Sequence, residues 1–225
     1  MRLGFRAVSR KRSLALRSPF RPIASPQVSR RSGGTALATA RWTDWSGQGL
    51  EHCQLSKSAE GGHRLEGAVA GTRHGLYGGH YVVLADEQFR TREVRMDYVG
   101  GPSLHVASDG KGSWHDLLSD SPIPTLEGCM DIDIGITPAT NTLPIRRLRL
   151  ASQQSADIFA AYVPLPDQID GCFLPMRAEQ RYTCLIPGKR YRYEGLFRNF
   201  TADLEIDHHG LVLDYPQTFR RVAEL

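Results

Sequence analysis

Two aspartates one residue apart, Asp131 and Asp133, open a polar run that continues through Thr137, Asn141 and Thr142 to Arg146 and Arg147. On an extended chain, carboxylates at that spacing leave the same face with side chains ~7 Å apart, near enough to share a cation, an arginine or a row of sugar hydroxyls. A glycosidase pair needs ~5 to ~9 Å between its carboxyls and one acid with a raised pKa. The spacing meets the first condition and is silent on the second. The competing reading is an ion pair with Arg146 or Arg147, whose planar fork matches a carboxylate. Thr137, Asn141 and Thr142 bring donors and acceptors to a stretch broken by Pro138 and Pro144, which suits a hydroxyl-rich ligand and plain backbone capping equally. A second set, Arg181, Tyr182, Tyr191 and Tyr193, reads either as a wall of rings and guanidinium for a sugar face, acyl chain or phosphate, or as cross-strand packing.

Other chemistry finds little support. Cys53, Cys129, Cys172 and Cys184 are far apart and lack the C-x-x-C spacing of a zinc knuckle or redox pair, so they read as free thiols. His208 and His209 precede Gly210 in a turn and, as neighbours on an extended chain, point opposite ways, so no metal site is expected. Ser113 and Ser119 lack a nucleophile-elbow setting and no glycine-rich phosphate loop occurs, so neither catalytic residues nor a cofactor are assigned.

The elements that must position these residues are strands. From Trp42 onward short stretches alternate with period two between turn residues, and no long window carries helical periodicity. Candidate strands span residues 49–57, 63–70, 76–85, 89–99, 103–107, 129–136, 156–163, 177–186, 190–196, 200–207 and 211–215, with Trp114 on a further short one. In residues 129–136 Ile132, Ile134 and Ile136 take one face and Asp131 and Asp133 the other. Residues 139–143 have room for one helical turn at most, with Arg146 and Arg147 leading into the next extended piece. About a dozen strands in one unit spanning residues 42–222 predict an all-β fold, mostly antiparallel, curled into a roll or incomplete barrel.

The chain of 225 residues has a formal charge of +4, which hides an asymmetry. Residues 1–41 hold ten of the 28 Lys and Arg and none of the 24 Asp and Glu, leaving 18 basic against 24 acidic residues elsewhere, a net of −6. An acidic body does not grip nucleic acid or anionic lipid through bulk charge. Residues 1–40, rich in Arg and Ser, are expected to be a disordered leader with a transit peptide's composition, although a misassigned start gives the same pattern. Without ~18 uninterrupted apolar residues there is no membrane span, and the expected location is cytoplasmic, or an organelle if the leader is a true targeting segment. No feature sets an oligomeric state.

Four stretches, GLEHCQL (49–55), LEGCMDIDIGITPATNTLPIRRL (126–148), QRYTCL (180–185) and YRYEGLFRNFTADLEIDHHGLVLDYPQTFRRV (191–222), resemble the glycolipid-binding family of bacterial proteins. The resemblance implies a spiral, half-open antiparallel β-roll, similar in shape to the carriers that shuttle lipoproteins between bacterial membranes, and names no catalytic residues. The resulting expectation is non-enzymatic binding of an amphipathic ligand, a glycolipid or related lipid, in the concave cleft, with residues 131–147 orienting its head group. The alternatives are a hydrolase acting on a sugar or lipid conjugate through Asp131 and Asp133, and an assembly protein that pairs through edge strands.

Overall fold

The computed structural model describes residues 34–58 and 61–222. Eight strands follow one another as a meander: β1 (Ala36–Asp44), β2 (Leu50–Lys57), β3 (His63–Gly71), β4 (Tyr77–Ala85), β5 (Thr91–Tyr98), β6 (Ser103–Ser108), β7 (Trp114–Asp116) and β8 (Ser121–Pro122). After them come β9 (Asp131–Ile134), the helix α1 (Thr142–Leu148), β10 (Ser155–Val163), β11 (Met176–Ile186), β12 (Arg190–Gly195), β13 (Phe200–Glu205), β14 (Asp214–Tyr215) and β15 (Phe219–Arg221). They form a ten-stranded antiparallel sheet, ordered β14-β15-β1-β2-β3-β4-β5-β6-β7-β8, and a five-stranded sheet, β13-β12-β11-β10-β9. The fold is all-β, as expected.

Alternation decides the inward face of the large sheet. In β2, Glu51, Cys53 and Leu55 are buried while Leu50, His52 and Gln54 are exposed. In β3 and β4, Leu65, Val69, Tyr81 and Val83 point the same way. Gly67 lies opposite Tyr81 in register, and a β-carbon on it would stand 2.5 Å from the Tyr81 ring. The missing side chain therefore lets that ring lie across β3 and bring its hydroxyl to Glu51 on β2. Against this face pack Ile132 and Ile134 of β9, Ile136, and Ala161 and Val163 of β10. A second apolar cluster joins Ile145 and the Ile158, Tyr182, Cys184, Tyr191, Tyr193 and Leu204 face of the small sheet.

Four sequence expectations are corrected. Residues 36–40 belong to β1, paired with β2 from Ala36↔Ser56 to Trp42↔Glu51. The disordered leader expected over residues 1–40 therefore overlaps an ordered strand at residues 36–40, where the ladder supplies what the small side chains lack. Residues 1–33 of that expectation lie outside the described residues. The pair β9 and β10 is parallel, because the connection between them, with α1 in it, is long enough for a crossover. The segment carrying Arg146 and Arg147 is helical: Pro144 falls in the first turn of α1, where a backbone N–H has no intrahelical acceptor to lose. Finally, Phe89 is not in a strand. It has φ 63 in a turn where Asp86 Oδ1 accepts from the Gln88 and Arg90 amides, and its ring stacks 3.7 Å from that of His63. Among the described residues no helix is long and apolar enough to cross a membrane.

Candidate functional site

The polar run of residues 131–148 crosses a seam between α1 and the small sheet. Residues directly opposite in a ladder share a face, so Asp131, Asp133, Ala160, Ala178, Gln180 and Tyr182 lie together. On that face Asp131, Ala160, Ala178, Gln180 and Tyr182 are buried and Asp133 is half-buried, with α1 packed beside β9. Arg147 Nε donates to Asp131 Oδ1 at 3.0 Å and Nη2 to Oδ2 at 2.5 Å, with the aspartate side chain 1% and the arginine 13% exposed. Burial raises the Asp131 carboxyl above its ordinary range, and Arg147 opposes the rise. Gln180 Nε2 donates to Asp133 Oδ2 at 2.7 Å; burial raises this carboxyl too, against the charges of Arg198 and Arg73. Tyr182 donates to Asn141 Oδ1 at 2.8 Å and Thr142 to the Gly210 carbonyl at 2.9 Å.

Thr137 belongs to a different cluster. With Tyr81 it donates to Glu51 Oε1, each at 2.6 Å, tying the large sheet to the loop that leads into α1. Glu51 is 2% exposed and its Oε2 is buried with no hydrogen-bond partner. Burial pushes its pKa up to about 7, the two hydroxyl donors only moderating the shift. A slot beside it, between Trp42, Gly71, Arg73, Tyr77 and Phe219, has room for about 10 Å³, roughly a single water. Side chains of the core occupy the space under the large sheet, where a hollow was expected.

Open space lies instead where the large sheet, the end of α1 and the small sheet come together. A cleft of about 300 Å³ is lined by Phe89, Ile145, Tyr191 and Ile206, with Arg146, Arg149, Asp207 and His208 around them and Gly188 at its edge. Phe89 arrives through its left-handed turn. Arg149 arrives because α1 ends on it at φ 49. The Arg146 guanidinium stands 5.4 Å from the Phe89 ring centroid, and its stem packs on the turn at Gly210, where φ is +88 and a β-carbon would meet Arg146 Cδ at 3.0 Å. Asp207 is engaged by Arg221 at 3.1 Å and accepts from the His209 and Leu211 amides. Apolar floor and cationic rim suit a ligand with a charged or hydroxylated end.

A family model described as "Putative glycolipid-binding" matches residues 39–221. The chain belongs to this family. A crystal structure of a DUF1089 family protein from Pseudomonas aeruginosa shares 34% identity with it, at TM-score 0.64 over 80% of this chain and 92% of that one. No curated protein matches it.

Within this glycolipid-binding family fold, the residues singled out from sequence separate into three groups. Arg146 and Tyr191 reach the cleft. Asp131, Asp133, Thr137, Asn141, Thr142, Arg147 and Tyr182 are spent on contacts inside the protein. Tyr193 joins them, edge-on to Tyr182 at 5.4 Å and to Tyr215 at 5.9 Å. Arg181 lies on the exposed face of the small sheet, paired with Asp157. Five side chains of the cleft are missed by the sequence reading, Phe89, Ile145, Arg149, Ile206 and Asp207, and His208 lines it too, where a solvated turn is expected. No local pattern announces them, since they meet only through tertiary packing. Glu51 is missed as well, although its phase with the buried Cys53 and Leu55 is a signal that could have found it.

Proposed function

We propose that this protein binds an amphipathic ligand, a glycolipid or related lipid, without catalysing a reaction on it, and that the cleft between α1, Phe89 and the Tyr191 to Ile206 face receives the ligand's head group. The observation that carries this reading is the cleft itself: about 300 Å³, the lower end of the ~300–1,000 Å³ found for small-molecule sites, with apolar residues at its floor and arginines at its rim. A volume of that size takes a head group and not two acyl chains. The family's description supports the same reading. Asp131 and Asp133 give the hydrolase alternative little support, since one is clamped by Arg147 and the other held by Gln180.

The test is native mass spectrometry of gently purified full-length protein, followed by titration with a panel of short-chain glycolipids. A retained lipid adduct, or saturable binding weakened by filling the cleft with Ile206→Trp, is the expected result. A folded protein that retains no adduct and binds no member of the panel would overturn the proposal.

A further inference from the structure

We infer that the cleft selects an oxyanion, so that the preferred ligand is an amphiphile bearing a phosphate, sulfate or carboxylate rather than a neutral glycolipid. This rests on the cleft being the binding site and adds the chemical class of the head group.

Three arginines stand close together at the end of α1, and they part company. Arg147 turns inward to a bidentate pair with Asp131. Arg146, on the last turn of α1, and Arg149, carried round by the left-handed residue that ends the helix, both line the cleft. Elsewhere four arginines of the sheets are matched to carboxylates, Arg64 to Glu66, Arg95 to Glu93, Arg181 to Asp157 and Arg192 to Asp203, while Arg177 and Arg220 each lie over a ring, Phe159 and Trp45; what sets the cleft apart is that two guanidinium groups meet in it. Arg146 has only the Phe89 ring beneath it. Among the described residues Asp207 is the one carboxylate lining the cleft, and Arg221 and two backbone amides already engage it.

The charge of the whole sharpens the contrast. Beyond residue 41 the chain carries a net −6, yet this concavity gathers two guanidinium groups and His208 with Asp207 taken elsewhere. Two like charges side by side repel each other, and an anion between them relieves that repulsion while accepting charge-assisted hydrogen bonds from both planar forks. A sugar hydroxyl takes part in such hydrogen bonds but leaves the repulsion in place. Tyr191 and Phe89 then cover the apolar part of the ligand next to its charge.

The experiment is calorimetric titration of the full chain with dihexanoylphosphatidylglycerol, with octyl glucoside and with inorganic phosphate, at low and high salt, repeated on R146Q/R149Q. The anionic amphiphile is expected to bind about tenfold or more tightly than octyl glucoside, as for one or two charge-assisted hydrogen bonds. That preference should shrink with salt and vanish in R146Q/R149Q, whose thermal midpoint stays at the wild-type value because both side chains are exposed. Equal affinity for the two amphiphiles, unaffected by the substitutions, overturns the anion assignment and leaves lipid binding standing. Phosphate binding as tightly as the anionic amphiphile supports the oxyanion site but makes its source a free ion, against the lipid reading. No binding of any of the three overturns both.

Discussion

The seam under α1 and the cleft at its end are built from the same side-chain types, and they differ in whether those side chains find each other. In the seam the partners are supplied by the fold: Arg147 with Asp131, Gln180 with Asp133, Tyr182 with Asn141. At the cleft Arg146 and Arg149 are left facing outward. Burying a charge is costly unless it is paired, so groups drawn into the interior must be matched there. Only those the fold leaves unmatched are free to recognise something else. A cluster of chemically capable residues is therefore a weak indicator of function until the pairing is known.

The comparison breaks most visibly at Asp131. Replacing it with Ala strands the 13% exposed Arg147 side chain, and loss of one partner of a buried pair costs about 3 to 5 kcal/mol. Urea denaturation should show that loss, and Asp131→Leu with Arg147→Met together should recover most of it, since an apolar pair of similar volume removes the stranded charge. If D131A were as stable as wild type, the seam would not be the structural element described.

Glu51 gives the next largest effect, read through pH. Its pKa rises from an ordinary 4.5 to about 7 on folding, so the folded state holds the proton more tightly than the unfolded chain. The associated stability is fully present below pH 4.5 and is lost as pH rises through 7. The shift corresponds to about 3 kcal/mol. Glu51→Gln keeps an acceptor for Tyr81 and Thr137 but cannot ionise. The difference in unfolding free energy between wild type and E51Q should therefore swing in favour of the variant by about that amount between pH 4.5 and 8. A difference independent of pH would mean that Glu51 has an ordinary pKa in the fold.

How these two regions appeared in the sequence follows from the range of the forces involved. Period-two alternation is local, so most strands, the Ile132 and Ile134 face and the inward phase of Glu51 can be read directly. Coverage of the opposite face is not local. Asp131 and Asp133 alternate with isoleucines as a half-solvated strand would, and their partners arrive from distant stretches, Arg147 of α1 on Asp131 and Gln180 of β11 on Asp133. Pro144 reads as a breaker, but its effect depends on helix position, and it sits in the first turn. β1 and β15 pair across nearly the whole chain, Trp42 opposite Arg221, so the short alternation in residues 219–221 could not announce its partner. The cleft is the extreme case, since Phe89, Arg146, Arg149 and Ile206 come from three separate stretches.

Seam and cleft touch at Gly210, whose carbonyl accepts from Thr142 and whose left-handed backbone packs on Arg146. Gly210→Ala adds a β-carbon in that conformation, at about 1 to 2 kcal/mol, and presses it against Arg146 Cδ. The expected outcome is a modest drop in thermal midpoint together with weaker binding of the anionic amphiphile. If the midpoint falls while binding stays intact, Arg146 adjusts freely and the turn does not position it.

The smallest expected effect tests whether position or bulk charge matters. Arg181 carries the same charge as Arg146 and is exposed, but its guanidinium is held by Asp157 at 2.5 and 2.8 Å, a pairing that keeps the Asp157 carboxyl below its ordinary range. Arg181→Gln lowers the net charge by one, as either single cleft substitution does. If the cleft recognises an oxyanion through aimed forks, R181Q should bind the anionic amphiphile as wild type does, because long-range interactions between exposed charges are screened within about 8 Å at physiological salt. Binding that weakens equally in R181Q and R146Q would show that attraction follows the total charge, and the distinction between a matched arginine and an unmatched one would then lose its functional meaning.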